Sequence, residues 1–177
     1  MAVQAFVKIK GAKQGQFKGE GVQKPGAGGG SVPLVRFVSA GAAPRDAATG
    51  QASGKRQWQP VRITKEWGAA SPQLVQAMTT NEILPSVVFE FFRPDKTGKE
   101  QLHYRITLQN ATVASISSTF DPTGELEDVE FTFQSIKVED IAGSTVASDN
   151  WQEVAPQPQQ PVPPVLREPI RPVLPAQ

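Results

Sequence analysis

Apolar and polar residues alternate with a period of two along most of this chain. In the last such stretch Val129, Phe131 and Phe133 fall on one face, and Glu130 and Thr132 fall on the other. Side chains in a β-strand point to alternate faces, so the pattern predicts strands with one buried face. The same alternation marks residues 5–10, 59–66, 86–93 and 101–109. We therefore predict about six or more antiparallel strands in a small barrel or sandwich.

One short helix interrupts the strands. Ser71 is a favourable N-cap and Pro72 suits the first helical position, which predicts a helix that ends near Asn81. Its apolar stripe consists of Leu74, Val75 and Met78. A stripe of this width would pack one side of the helix against the sheets.

The segments between the regular elements differ in composition. Residues 11–31 are rich in glycine, and residues 41–54 are small, polar and without period, so both are predicted to be loops. A strand at residues 32–39 would lie near a sheet edge, because Pro33 cannot donate to a ladder. Half of the 16 prolines fall between residues 156 and 175. We therefore predict a domain over residues 1–154 and a proline-rich, disordered tail over residues 155–177.

Composition limits the classes of function. Net charge is +1, which gives no electrostatic footprint for nucleic acid. The chain has no cysteine and a single histidine, His103, so thiolate and multi-histidine metal sites are excluded. No apolar run reaches the ~20 residues of a membrane span, so no membrane insertion is expected. The N-terminus lacks the pattern of a signal peptide, which predicts a cytoplasmic protein that leaves the cell, if at all, by a dedicated route.

The chain carries no complete catalytic, cofactor or metal motif. Gly54-Lys55 looks like the end of a phosphate-binding loop, but Thr49 stands where the first glycine belongs and Arg56 where the hydroxyl belongs. His103 is read as a surface residue. The acidic cluster of Glu125, Glu127 and Asp128 lacks calcium-loop spacing and is read as a solvated turn. No catalytic residue, cofactor site or metal site is predicted, and we expect the chain not to be an enzyme.

Several stretches resemble one known family. The most specific is "ITKEWGAASPQLVQAMTTNE", in which a strand ends and a helix with a Ser-Pro start follows; "FVKIKG", "LQNATVASIS" and "VEFTFQSIKVE" occur at the expected distances. Over residues 1 to about 140 the chain resembles Hcp, the tube protein of bacterial type VI secretion systems. The resemblance implies a compact antiparallel β-barrel of two sheets with one short flanking helix. The proline-rich tail and the glycine-rich residues 11–31 depart from the family pattern.

The resemblance also implies an assembly. Six copies would form a ring with a wide lumen, rings would stack into a tube, and effector proteins would bind inside it. A contractile sheath on its baseplate would drive that tube, tipped by a VgrG spike, out of the cell without a signal peptide. In the family, the loop between the second and third strands reaches toward the next ring. Here the candidate stacking residues on that loop are Arg45, Asp46, Lys55 and Arg56.

Two alternatives remain open from the residues alone. The chain could be a tail-tube protein of another phage-like contractile particle, with the same fold and different partners. It could instead be a monomeric adaptor whose proline-rich tail docks into aromatic grooves. An enzyme built on a β-barrel is a third class, which nothing in the sequence favours.

Overall fold

The computed structural model describes residues 4–19, 30–122 and 124–151 of the chain. Twelve strands and one helix follow one another in this part of the sequence. They are β1 (Gln4–Gly11), β2 (Gly15–Gln16), β3 (Ser31–Pro33), β4 (Arg36–Val38), β5 (Gly41–Ala42), β6 (Gln57–Trp58), β7 (Val61–Glu66), α1 (Ala70–Thr79), β8 (Leu84–Pro94), β9 (Glu100–Asp121), β10 (Gly124–Thr132), β11 (Ser135–Asp140) and β12 (Thr145–Asn150).

The long strand β9 joins two antiparallel sheets. Its first half pairs with β8 and β11, and its second half pairs with β10. The first sheet continues from β8 to β1, and the second continues from β10 to β7 and β4. Between the two halves, Asn110 has φ of 47°. Asparagine tolerates this left-handed conformation better than most residues, which suits it to the position where the strand leaves one sheet and enters the other.

The two sheets approach each other again at the segment that was predicted as one strand, residues 32–39. It forms two short strands, β3 on β1 and β4 on β7. Between them the amide of Leu34 donates to the Ala5 carbonyl at 2.9 Å, and that of Val35 donates to the Thr64 carbonyl at 2.8 Å. Among the described residues, these two hydrogen bonds link the sheets here, and no continuous strand ladder joins them. The predicted fold class is confirmed, and the barrel is open at this seam.

The alternating positions form the core. Val129 and Phe131 are fully buried, as predicted, and Phe133 is 9% exposed. The Phe89 ring lies against Phe131, with centroids 6.4 Å apart. Phe91 is half-buried and packs against the same core, as predicted. A bulge follows it, and Phe92 beyond the bulge is buried as well. Period two therefore predicted the core face of β8 correctly, and it did not predict the burial of Phe92.

The helix differs from its prediction in its start and in its buried face. It begins at Ala70, and the Ser71 hydroxyl donates to the Glu127 carboxylate at 2.7 Å instead of capping the helix. The buried residues are Ala70, Leu74 and Ala77. Val75 is 44% exposed. The predicted stripe was correct for Leu74 and for Met78, which packs against the core, and wrong for Val75. The two alanines were missed because small side chains carry little hydrophobic signal. Among the described residues, no helix is long and apolar enough to cross a membrane.

Some predicted segments lie outside the described residues. They include the proline-rich tail from residue 155 and nearly half of the glycine-rich stretch, residues 20–29. Strand β12 was not predicted, because its sequence TVASDN shows no clear alternation. It forms a hairpin with β11.

A buried carboxylate ties the β1–β2 turn to the end of the helix. Glu82 is 3% exposed and accepts hydrogen bonds from the Lys13 amide at 2.6 Å and from the Gln14 amide and side chain at 2.9 Å. Burial raises the pKa of the Glu82 carboxyl, but these hydrogen bonds outweigh it and hold the pKa below its ordinary value of 4.5. The carboxylate form is therefore the one that the fold stabilises.

This carboxylate predicts a component of acid sensitivity. The pKa of Glu82 is lower in the folded chain than in the unfolded chain. The stabilisation is therefore present above pH 4.5 and is lost as the pH falls through the pKa of the folded chain. We expect Glu82→Gln to reduce the loss of unfolding free energy between neutral and acidic pH. Urea unfolding of the parent chain and of Glu82→Gln at a series of pH values measures this difference. Parallel profiles of unfolding free energy against pH would contradict the prediction.

Candidate functional site

The segment predicted as a long loop between the second and third strands is a β-hairpin in the structure. Its base is the β5–β6 pair, in which Gly41 faces Trp58, and an isolated bridge joins Arg45 to Ala52 further out. From Val38 to Gln57 the side chains are exposed, apart from those of Pro44 and Arg56. We call residues 39–58 the extended hairpin.

The tip of the extended hairpin is organised by one carboxylate. Asp46 accepts hydrogen bonds from the amides of Ala48 and Thr49, each at 2.8 Å. Its own carbonyl accepts from the amide of Gly50, which has φ of 70°, a conformation that glycine adopts readily. The hydrogen bonds from Thr49 and then Ala48 hold the pKa of the Asp46 carboxyl below its ordinary value. The tip is therefore a defined turn although it is fully exposed.

The base of the extended hairpin is attached to β12 through one aspartate. The Arg56 guanidinium forms an ion pair with Asp149 and also donates to the Asn150 carbonyl at 2.8 Å. The Trp58 indole N–H donates to the same Asp149 carboxylate at 2.7 Å. The pKa of the Asp149 carboxyl is lowered, mostly by the hydrogen bond from Arg56. Burial raises this pKa, and the hydrogen bond from Trp58 lowers it further.

The indole of Trp58 adds an apolar contact to this attachment. Its ring packs edge-on against Phe133, with centroids 6.1 Å apart and planes at 62°. Phe133 belongs to the core, so the hairpin base rests on the body of the domain. A cavity of about 250 Å³ lies beside this attachment, and its lining includes Pro44, Lys55 and Trp151.

The four predicted stacking residues fall in two groups. Arg45 and Asp46 lie toward the tip, where the Arg45 guanidinium reaches the Gly50 carbonyl at 3.5 Å. Lys55 and Arg56 lie at the base; Lys55 is exposed, whereas Arg56 is paired with Asp149. The structure does not gather them into one cluster. The sequence search missed Trp58 and Asp149, which position the hairpin and lie 91 residues apart.

The acidic cluster read as a solvated turn has a different environment in part. Glu125 is exposed and Asp128 is half-buried, but Glu127 is 2% exposed. Its carboxylate lies 2.6 Å from the Lys65 ammonium, which is itself fully buried. Within the described residues no group of side chains has the arrangement of a metal site. His103, read as a surface residue, is half-buried.

Comparison with known proteins identifies the relatives of this fold. Residues 6–139 match the family described as "Type VI secretion system effector, Hcp". The "Major exported protein" of Pseudomonas aeruginosa is 30% identical over 167 residues, which cover 86% of this chain and 97% of that protein.

Solved structures agree with that match. A mutant of the Hcp1 protein from E. coli EAEC 042 pathovar superposes with a TM-score of 0.75 at 27% identity, covering 85% of this chain and 99% of that one. The secreted protein Hcp3 from Pseudomonas aeruginosa gives 0.71 at 27% identity, covering 86% and 100%.

Proposed function

This chain belongs to the Hcp family of type VI secretion tube proteins, and on that premise we propose that six copies close into a ring and that rings stack into the secreted tube. The observation that carries the proposal is the extent of the family match, which spans residues 6–139 and so nearly the whole described fold. The role proposed is structural rather than catalytic.

The extended hairpin supports the stacking part of the proposal. It is exposed along its length, ends in a turn organised by Asp46, and is held at its base by Asp149. A contact between unlike surfaces forms a closed ring when the rotation closes, and an open polymer when it does not. A rigid exposed hairpin suits the second kind of contact, between one ring and the next. Arg45, Asp46 and Lys55 are the residues proposed to touch the neighbouring ring.

Further partners follow from the proposed place in the secretion machine. The tube would carry effector proteins in its lumen, would be capped by a VgrG spike, and would be surrounded by contractile sheath on a baseplate. The chain would be made in the cytoplasm and leave the cell through this machine. The export named for the Pseudomonas aeruginosa relative supports that route.

Solution mass tests the ring. We expect light scattering after size exclusion to give six times the 19.1-kDa mass of the chain, with larger species at high concentration. Electron microscopy of the same sample should show rings and short tubes. A stable monomer at high concentration would contradict the ring and favour an adaptor that works through its proline-rich segment.

A further inference from the structure

An exposed apolar groove lies between the start of the helix and the β9–β10 hairpin. Its volume is about 590 Å³, and its lining includes Trp67, Pro72, Val75 and Ser118. Trp67 is 41% exposed, and Val75 is 44% exposed. Beside it Phe120 is 71% exposed, with its ring centroid 6.4 Å from that of Trp67. We call these five residues the aromatic groove.

The aromatic groove is preformed. The Trp67 indole N–H donates to the Leu126 carbonyl at 3.0 Å, and the Trp67 amide donates to the Glu125 carbonyl at 3.1 Å. Both bonds fix the tryptophan beside the start of β10. An aromatic ring held in position presents a flat apolar surface without an ordering cost on binding, which is the property of grooves that recognise extended proline-rich segments.

The rim of the aromatic groove is acidic. Glu125 is exposed and pairs across the strands with Phe120, on the same face as Ser118. Glu127 also lines the groove, where it is paired with the buried Lys65 ammonium. Glu125 therefore keeps its negative charge available at the rim. The surface therefore combines aromatic rings with negative charge, and a ligand that fits it carries apolar residues together with arginine or lysine.

We propose that the aromatic groove binds the proline-rich segment of the same chain, residues 161–175. That segment reads PVPPVLREPIRPVLP, in which prolines alternate with aliphatic residues and with Arg167 and Arg171. Prolines favour the extended polyproline conformation, so little further entropy is lost when such a segment binds rings such as Trp67 and Phe120. One of the two arginines would pair with Glu125 at the rim.

The length of chain between the two sites matches the distance. The described residues end at Trp151, which lines the same cavity as Trp58. From Trp58 to Trp67 the backbone runs largely along β7, at about 3.3 Å per residue, or roughly 30 Å. Ten residues, 152–161, would reach roughly 31 Å if extended in polyproline geometry, at about 3.1 Å per residue. The chain after Trp151 is therefore long enough for a segment that begins at Pro161 to reach the aromatic groove.

Contact quenching of a fluorophore by tryptophan tests the proposal in the full chain. Because the chain has no cysteine, Glu168→Cys gives a single site for a thiol-reactive bimane, which tryptophan quenches only at contact. We expect the label to be quenched, and Trp67→Phe to restore its emission several-fold while keeping an aromatic ring in the groove. Trp58→Phe and Trp151→Phe should leave the quenching unchanged.

Two controls separate the binding site from the reporter. Phe120→Ser should restore emission although Trp67 is retained, whereas Val146→Ser, which alters a residue 61% exposed on β12, should not. Recovery in Trp151→Phe rather than Trp67→Phe would overturn the proposal in favour of the cavity beside Trp58. An unquenched label in the parent chain would overturn it in favour of a segment that does not bind the domain.

A mixing experiment distinguishes the same chain from a neighbouring copy. Labelled chain is refolded with a large excess of unlabelled Trp67→Phe chain, so that nearly every neighbour lacks the quencher. Quenching that persists supports binding within one chain, and quenching that disappears overturns it in favour of exchange between copies. This outcome is independent of ring formation, because binding within one chain requires no neighbour.

Discussion

Replacing Glu127 by alanine is expected to lower the free energy of unfolding by about 3–5 kcal/mol, because it leaves a buried ammonium without its counter-ion. Lys65 and Glu127 are 1% and 2% exposed in their side chains, and their charged atoms lie 2.6 Å apart. Within the part of the chain that the structure describes, the Lys65 ammonium keeps only neutral partners after the change, the Glu66 carbonyl and the Ser71 hydroxyl. Urea unfolding monitored by circular dichroism measures the effect.

The double variant Lys65→Met/Glu127→Leu is the matched control. It removes both charges and refills the space with apolar side chains, and buried ion pairs replaced in this way often lose little stability. We therefore expect the double variant to be clearly more stable than Glu127→Ala. Equal destabilisation of the two variants would mean that the loss comes from packing and not from an uncompensated charge.

Period two places both residues of this pair on inward faces. In β7 the inward positions Val61 and Ile63 continue to Lys65, and in β10 the inward positions Val129 and Phe131 extend back to Glu127. The structure places Lys65 directly opposite Glu127 across the two strands. The pattern was not extended to these positions because lysine and glutamate are almost always exposed unless paired, and the partner became visible only with the strand register.

Other predictions from the sequence were wrong for the same reason, because they depend on contacts between residues far apart in the chain. Ser71 has the residue type of an N-cap, but its hydroxyl binds Glu127, 56 residues away. The sequence also predicted a loop where the extended hairpin forms, because residues 41–54 lack alternation. The base of that hairpin is anchored by the bonds of Arg56 and Trp58 to Asp149, which local propensity does not encode. Strands with a buried face were predictable from the sequence, whereas polar contacts between separate elements were not.

Replacing Asp149 by alanine is expected to detach the extended hairpin without unfolding the domain. The change removes a charge-assisted bond from Arg56 and a hydrogen bond from Trp58, and a single bond to a charged group contributes about 1.5–3 kcal/mol. Amide hydrogen exchange at residues 41–58 should accelerate by about tenfold to a hundredfold, since each 1.4 kcal/mol is a factor of ten. Exchange in the core strands β8 and β9 should stay unchanged.

Arg56→Ala and the double variant show whether the two residues act together. If they act as one ion pair, the double variant should lose less hairpin stability than the two single variants lose together. Additive losses would contradict direct coupling. Asp149→Asn, which keeps an acceptor for the Trp58 indole, should fall between the parent and Asp149→Ala. Uniform acceleration of exchange over the whole chain would contradict a local anchoring role.

The same variant separates stacking from ring closure in the proposed tube. A hairpin that has lost its anchor must be ordered again each time it contacts a neighbouring ring, and that ordering cost weakens the contact. We expect Asp149→Ala to keep the mass of a single ring while the number and length of tubes in electron micrographs fall. If tubes form as in the parent chain, the extended hairpin is not the stacking element, and the contact between rings must lie elsewhere on the two sheets.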